Sequence, residues 1–293
     1  MNQSDKVLVI LGLPGIDMTR IAAEVALLLD GEVIPAGPIW VYRRMDIGTG
    51  KPTPELRTQV PFHMIDLVNP DEYFRRADYI NQAREIIREI LQRGHQPLLI
   101  GNNDLAINAI IGKEYRPHPH DSNMLDMEIA NPAQKQQLAY RLDGALDAIT
   151  QLSGSISETI MAQPAETQLF AATWFRLLFS EDELRTRIDQ HVDEILQSGL
   201  LEEVLRLHAQ GYNRDLPTMR QPGYFQLNAH LNGGSDFAAA AQSLKRYLCH
   251  QACNNIDKHR SLLGAIQVEM AEKSELEVAQ EIAAIYLNTN GNN

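Results

Sequence analysis

KVLVILGLPGIDMTRIAAEVALLLDG, residues 6–31, decides the fold. Its opening KVLVILG is an apolar run closed by glycine, short enough for a buried strand. TRIAAEVALLLDG, from Thr19 to Gly31, has helical spacing with a glycine stop. Working outward, EVIPAG (32–37) reads as a second strand, YINQAREIIREILQRG (79–94) as a strongly amphipathic helix, and PLLIG (97–101) as another buried strand. Strands alternating with helices in this way predict an α/β fold built on a parallel sheet.

The pattern changes at Asn102. RPHPHDSN (116–123) is a loop rich in Pro, His and Asp, where His118 and His120 read as solvent-exposed, and residues 131–161 carry helical character with many glutamines and alanines. QLFAATWFRLLF (168–179) reads as a strand. Segments 181–210, 218–232 and 236–262 read as helices with glycine stops at 211 and 233–234, and GAIQVEM (264–270) as a last strand. A helix from Glu275 to Leu287 closes the chain, and the tail NTNGNN is expected to fray. The resulting division is a core of residues 1–112 and 168–293 interrupted by a helical insert at 113–167.

Composition narrows the function classes. With 293 residues, 44% hydrophobic and 22% charged, the chain can bury a sizeable core and is not a disordered polymer. No stretch approaches the roughly 20 apolar residues of a membrane span, and the amino terminus lacks the basic region of a signal peptide, so a cytoplasmic location is expected. Cys249 and Cys253 lie four apart in a helical stretch, which argues for plain helix residues; His250 and His259 nearby match no standard zinc spacing. The net charge of −12 and pI near 5.2 argue against a broad basic surface for nucleic acid and leave room only for a local basic groove.

The more specific stretches are GEVIPAGPIWVYRRMDIGTGKPTPE (31–55), VPFHMIDLVNPDEYF (60–74), GLLEEVLRLHAQG (199–211) and RQPGYFQL (220–227). Together they resemble the tRNA dimethylallyltransferases, collinearly from Lys6 to Leu287. The resemblance implies a P-loop NTPase-like core, transfer of a dimethylallyl group from dimethylallyl diphosphate to the exocyclic amine of an adenosine beside the anticodon of tRNA, and Mg2+ as cofactor. In such proteins a loop of the form GxTxSGKT holds the donor's diphosphate at a helix N-terminus. The matching residues here are Gly12, Leu13, Pro14, Gly15, Ile16, Asp17, Met18 and Thr19. Asp17 stands for a glycine, Met18 for the lysine, Pro14 has no amide hydrogen to donate, and Thr19 falls at the expected Mg2+ position.

Three further elements depart from the pattern. ADSMQVYRGMDIGT becomes AGPIWVYRRMDIGT, so Gly37 occupies the position of the general base, and Pro38, Ile39 and Trp40 fill positions implied to touch tRNA. Losing a proton acceptor removes a contribution of roughly 100- to 10,000-fold. GGTGLY becomes GNNDLA, with Asn103 for the threonine, a new charge at Asp104 and Ala106 for the aromatic ring. TRQYAKRQ becomes LCHQACNN (248–255), although Lys245 and Arg246 precede it, and the insert's DRRRLxRALEV becomes QKQQLAYRLDGALDA (134–148). Asp46, Thr49, Lys51, Pro52, His63 and Asp66 remain; structure alone accounts for them, while Thr49 and Lys51 are also candidates for binding an anion. Tyr224 and Gln221 are expected to hold a helix turn against the core.

The sequence therefore predicts a pseudoenzyme of this family. Two alternatives stay open: an active transferase with a weakened or altered donor site rebuilt from Thr19, Lys51 and Arg246, or a non-catalytic tRNA- or protein-binding module.

Overall fold

The computed structural model describes residues 6–112, 169–261 and 264–291. The expected insert at 113–167, with His118 and His120, lies outside them. Five strands form one parallel sheet in the order β2-β3-β1-β4-β5, where β1 is Lys6–Leu11, β2 Gly31–Pro35, β3 Gln96–Gly101, β4 Ala171–Leu178 and β5 Ile266–Glu269. In register, Leu11 lies opposite Gly101 on one side and Arg176 on the other. The carboxyl ends of β1, β3 and β4 thus converge at one edge, where ligands of open α/β sheets bind.

Alternation along β1 explains the layers. Val7, Val9 and Leu11 enter one core and Leu8 and Ile10 the other. The first face is covered by α3 (Arg76–Arg93), α4 (Asp104–Ile111), α6 (Leu200–Ala209) and α7 (Tyr224–Leu231), the second by α1 (Thr19–Leu29), α5 (Glu181–Gln197), α8 (Phe237–Ser261) and α9 (Glu275–Gly291). β1, β2 and β3 are buried on both faces, so they read as nearly continuous apolar runs in the sequence, while the edge strand β5 buries only Val268.

Several elements differ from the sequence reading, each for a local reason. Helix α2 (Pro54–Gln59) was not expected: Thr53 accepts from the Leu56 amide at 3.4 Å, and Pro54 sits in the first turn, where its missing N–H costs nothing. Helix α4 was not expected either: Asn103 caps it by accepting from the amides of Leu105 (3.0 Å) and Ala106 (3.2 Å). Segment 181–210 is two helices because Gly199 takes φ +98°, and 218–232 is a 3-10 turn (Pro217–Arg220) and α7, parted at Pro222 and Gly223. The last helix is longer than its expected end at Leu287: α9 runs on to Gly291, with Thr289 Oγ1 donating to the Ile285 carbonyl at 2.7 Å.

At the opposite edge of the sheet Glu32 accepts from Arg93 at 2.8 Å and lies 2.6 Å from His63 Nε2. Burial alone would raise the Glu32 pKa, but the hydrogen bonds from His63 and Arg93 overcome it and hold the carboxyl below its ordinary 4.5. Around and below pH 4.5 the unfolded chain then binds the proton more readily than the folded one, so this contribution is present above that pH and is lost as pH falls. Urea midpoints should decline between pH 5 and pH 3. Glu32→Gln should lower the midpoint at pH 7 and make the acid decline shallower; an unchanged slope would show that the cluster is not responsible.

Candidate functional site at the carboxyl edge of the sheet

The loop between β1 and α1 is packed with its own side chains. Leu13 is buried, and Ile16 and Met18 lie against the same core as Ile188 and Leu248. The thioether of Met18 covers Gly12 so closely that a Cβ there would overlap its sulfur, and Gly15, at φ +81°, faces Ile188 of α5 and Leu248 of α8. Asp17 Oδ1 accepts from the Thr19 amide at 2.8 Å, which places a carboxylate on the first amide of α1. Thr19 Oγ1 donates to the Gly50 carbonyl at 3.2 Å. Burial pulls the His191 pKa below its ordinary value, opposed by the negative charges of Asp17 and Glu194.

The segment after β2 forms the neighbouring wall. Gly37 borders open space, with nothing within 4 Å of where a Cβ would stand. The nearby Tyr79 hydroxyl donates to the Pro35 carbonyl, and burial pushes its pKa above the ordinary 10. Trp40 is a core residue at 5% exposure: its indole nitrogen donates to the Thr49 carbonyl at 3.1 Å, and its ring meets Phe62 edge-on at 6.1 Å. Pro38 and Ile39 are half-buried in the turn before it.

The retained polar residues are engaged in structure. Lys51, with a side chain 0% exposed, donates to the Tyr42 carbonyl (2.6 Å), Asp46 (2.8 Å) and Asp66 (2.7 Å). Thr49 Oγ1 donates to the Met45 carbonyl at 2.5 Å. Arg246 is exposed on α8 and lies two residues, about 200° of helical rotation, from Leu248, which faces the β1–α1 loop. The groups suggested for an anion site at Thr49 with Lys51, and for one rebuilt from Thr19, Lys51 and Arg246, are thus engaged elsewhere or apart in this structure. Ion pairing consumes one cation, helix geometry turns the other away, and both hydroxyls already donate to carbonyls.

Glu203 of α6, 2% exposed, was missed. Its carboxylate accepts from the consecutive amides of Asp46 (2.9 Å), Ile47 (2.9 Å) and Gly48 (3.2 Å), and from the Tyr224 hydroxyl at 2.6 Å. Burial, followed by the Glu203 charge, raises the Tyr224 pKa well above 10, so the hydroxyl stays a donor. Gly48 has no room for a Cβ against the Tyr224 ring. Both residues stand in quoted stretches, GLLEEV and RQPGYF, but α-helical periodicity marks only apolar positions as inward, so nothing local singled out a buried acid.

The third and fourth elements complete the edge. Asn103 is occupied as the α4 cap, while Asp104 is buried beside Gly12 and Leu13 in a cleft that Asn255 and His259 of α8 close from the other side. Cys249 is half-buried with its thiol pKa raised, by burial first and then by the Asp189 charge, and Cys253 Sγ lies 4.0 Å from Glu181 Oε1. Lys245 pairs with Asp193 at 2.8 Å. Among the described residues no group of three or more His, Cys, Asp or Glu is arranged to hold a metal ion, and no helix is long and apolar enough to cross a membrane.

Comparison with known proteins defines the class. A family model described as IPP transferase matches residues 40–252. The tRNA dimethylallyltransferase of Thermotoga maritima is 30% identical over 271 residues, covering 86% of this chain and 88% of that protein. That of Pelotomaculum thermopropionicum is 32% identical over 266 residues, covering 84% of each. The chain belongs to the IPP transferase family of tRNA prenyltransferases. The full-length tRNA isopentenylpyrophosphate transferase from Bacillus halodurans superposes with a TM-score of 0.69 at 26% identity over 98% of both chains. The tRNA delta(2)-isopentenylpyrophosphate transferase from Staphylococcus epidermidis shares the fold, with a TM-score of 0.73 at 22% identity over 97% of this chain and 99% of that one.

Replacing Glu203 by Gln keeps the volume but turns an NH2 toward backbone donors. Glu203→Gln should cost on the order of 3 kcal/mol in urea unfolding, since several buried donors lose a charged acceptor. A loss under about 1 kcal/mol would mean that the latch is not a principal support.

Proposed function

We propose that this chain is a folded member of the tRNA dimethylallyltransferase family that does not transfer the dimethylallyl group. What supports the reading is the state of the loop that the resemblance assigns to the donor's diphosphate: Asp17 holds the first amide of α1, and Met18 covers Gly12. A diphosphate would meet a carboxylate at about 4 Å, a repulsion of several kcal/mol at a protein surface. The loop offers no compensating amide from Pro14 and no lysine at position 18.

Chemistry in this family joins the adenosine amine nitrogen to the allylic carbon of dimethylallyl diphosphate while the carbon–oxygen bond to diphosphate breaks and the amine loses a proton. Stabilising the departing diphosphate and accepting that proton are the two tasks of the protein. At the first, this chain presents Asp17 and Met18. At the second, Gly37 has no side chain, and the nearby Tyr79 is a buried donor whose raised pKa suits it poorly as a base. A magnesium ion bridging Thr19 to diphosphate would need the hydroxyl as a ligand and an amide cradle beside it. The hydroxyl donates to Gly50 and the helix amide to Asp17, so the residues present do not fit the ion and diphosphate together.

Purified protein incubated with unmodified tRNA and dimethylallyl diphosphate should show transfer at least a thousandfold below an intact relative, and millimolar pyrophosphate with magnesium should leave its thermal midpoint unchanged. Transfer within tenfold of the relative would overturn the reading. Asp17→Ala should cost about 1 kcal/mol through the lost hydrogen bond to the Thr19 amide, and Gly37→Asp less than about 0.5 kcal/mol because its site is open. The combined Asp17→Gly, Met18→Lys and Gly37→Asp variant should regain a pyrophosphate-dependent rise in thermal midpoint.

A further inference from the structure

The pattern ADSMQVYRGMDIGT has glycine where this chain has Arg44. The backbone there keeps a conformation suited to glycine, with φ +67°. A side chain holds that region only at a cost, and Arg44 is exposed, so no core burial offsets it. Its guanidinium is nevertheless fixed. Nη1 donates to Gln210 Oε1 at 2.9 Å and, more weakly, to the Tyr212 hydroxyl at 3.5 Å, which clasps the turn at 42–45 to the carboxyl end of α6. Nε and Nη2 have no hydrogen-bond partner among the described residues. Those two nitrogens form the edge of the fork that a carboxylate engages with two parallel hydrogen bonds. Because Nη1 already holds the group in place, a ligand there need not immobilise a free side chain.

The charge around this position narrows the partner. Acidic side chains outnumber lysine and arginine by 38 to 26, and Arg57, Arg93, Arg185 and Arg187 each hold a carboxylate. Arg44 and Arg206, the latter exposed one turn before Gln210 on α6, have no ion pair among the described residues. Two uncompensated guanidiniums in so acidic a chain make a small receptor for an oxyanion. A phosphate fits the fork as a carboxylate does, but a nucleic acid does not fit the surround. Glu202 precedes Arg206 by one turn and Asp215 follows Tyr212 by three residues, both exposed, so a strand with a charge on every nucleotide would run onto carboxylates. A protein segment with one acid among neutral residues would not.

We infer that Arg44 anchors a docking surface for a protein partner, its Nε and Nη2 engaging one Asp or Glu side chain of that partner with Arg206 alongside. None of these residues belongs to the β1–α1 loop, and the surface does not depend on whether dimethylallyl transfer occurs.

The probe is the blocked peptide GSLELSG, titrated into the full chain and followed at the Arg44 Nε–H resonance, with GSLQLSG, inorganic phosphate and a short RNA hairpin as comparators. The glutamate peptide should shift that resonance with a dissociation constant of about 1 mM, and the glutamine peptide should leave it in place. Arg44→Lys keeps the charge but loses the fork, and should weaken binding roughly fivefold or more. Arg44→Gly should abolish binding while the thermal midpoint stays level or rises, because glycine takes φ +67° freely. A midpoint lowered by more than about 3 °C in Arg44→Gly would assign the arginine to holding the fold and overturn the inference. An Nε–H resonance indifferent to the glutamate peptide at about 10 mM would overturn it as well. Tighter binding of the RNA hairpin at the same resonance overturns it in favour of a nucleic-acid surface, and tighter binding of phosphate in favour of a phosphorylated ligand.

Discussion

One buried carboxylate organises the functional edge of this molecule. Glu203 gathers three successive backbone amides and a tyrosine hydroxyl, so the turn at 46–48 is fixed by a charge-assisted set of hydrogen bonds. The rest of that loop follows from its position. Lys51 is drawn between Asp46 and Asp66, the Thr49 carbonyl receives the Trp40 indole, and the Gly50 carbonyl receives the Thr19 hydroxyl at the start of α1. Disturbing Glu203 would therefore reach the β1–α1 loop through two hydrogen bonds rather than through the sheet.

That arrangement also explains how this loop holds its shape without a ligand. The residues shared with the family in DIGTGKP are tied to α6, α7 and the 60–68 segment by contacts that owe nothing to a substrate. The motif residues around it are supported in turn: Met18 packs on Gly12, Trp40 fills core beside Phe62, Asn103 caps α4 and Asp17 accepts from the Thr19 amide. Each of these side chains contributes packing or a hydrogen bond to the fold, whatever else it does.

How much of this was legible in the sequence depends on the range of the interaction. The five strands and the long helices were, because burial on two faces writes continuous apolar runs and burial on one face writes a period of 3.6. The helix boundaries at Gly199 and Gly223 were not, since a glycine within an apolar pattern does not declare its φ. Helices α2 and α4 were missed because single side chains, Thr53 and Asn103, cap them, and they are too short for periodicity to register. At the candidate site, the identities of Asp17, Met18, Gly37 and Asn103 were readable by position, whereas the burial of Lys51 and the role of Glu203 were not.

The sequence by itself determined the parallel α/β architecture, the family and the identity of the side chains at each motif position, because those are properties of local pattern and order along the chain. Only the tertiary structure decided what these side chains do. Trp40 became core and Lys51 a buried counter-ion; Arg246 turned outward, and Asp104, Asn255 and His259 came to share one cleft. The physical reason is that charge pairing and desolvation depend on neighbours supplied from other elements, Glu203 lying more than 150 residues from the amides it holds.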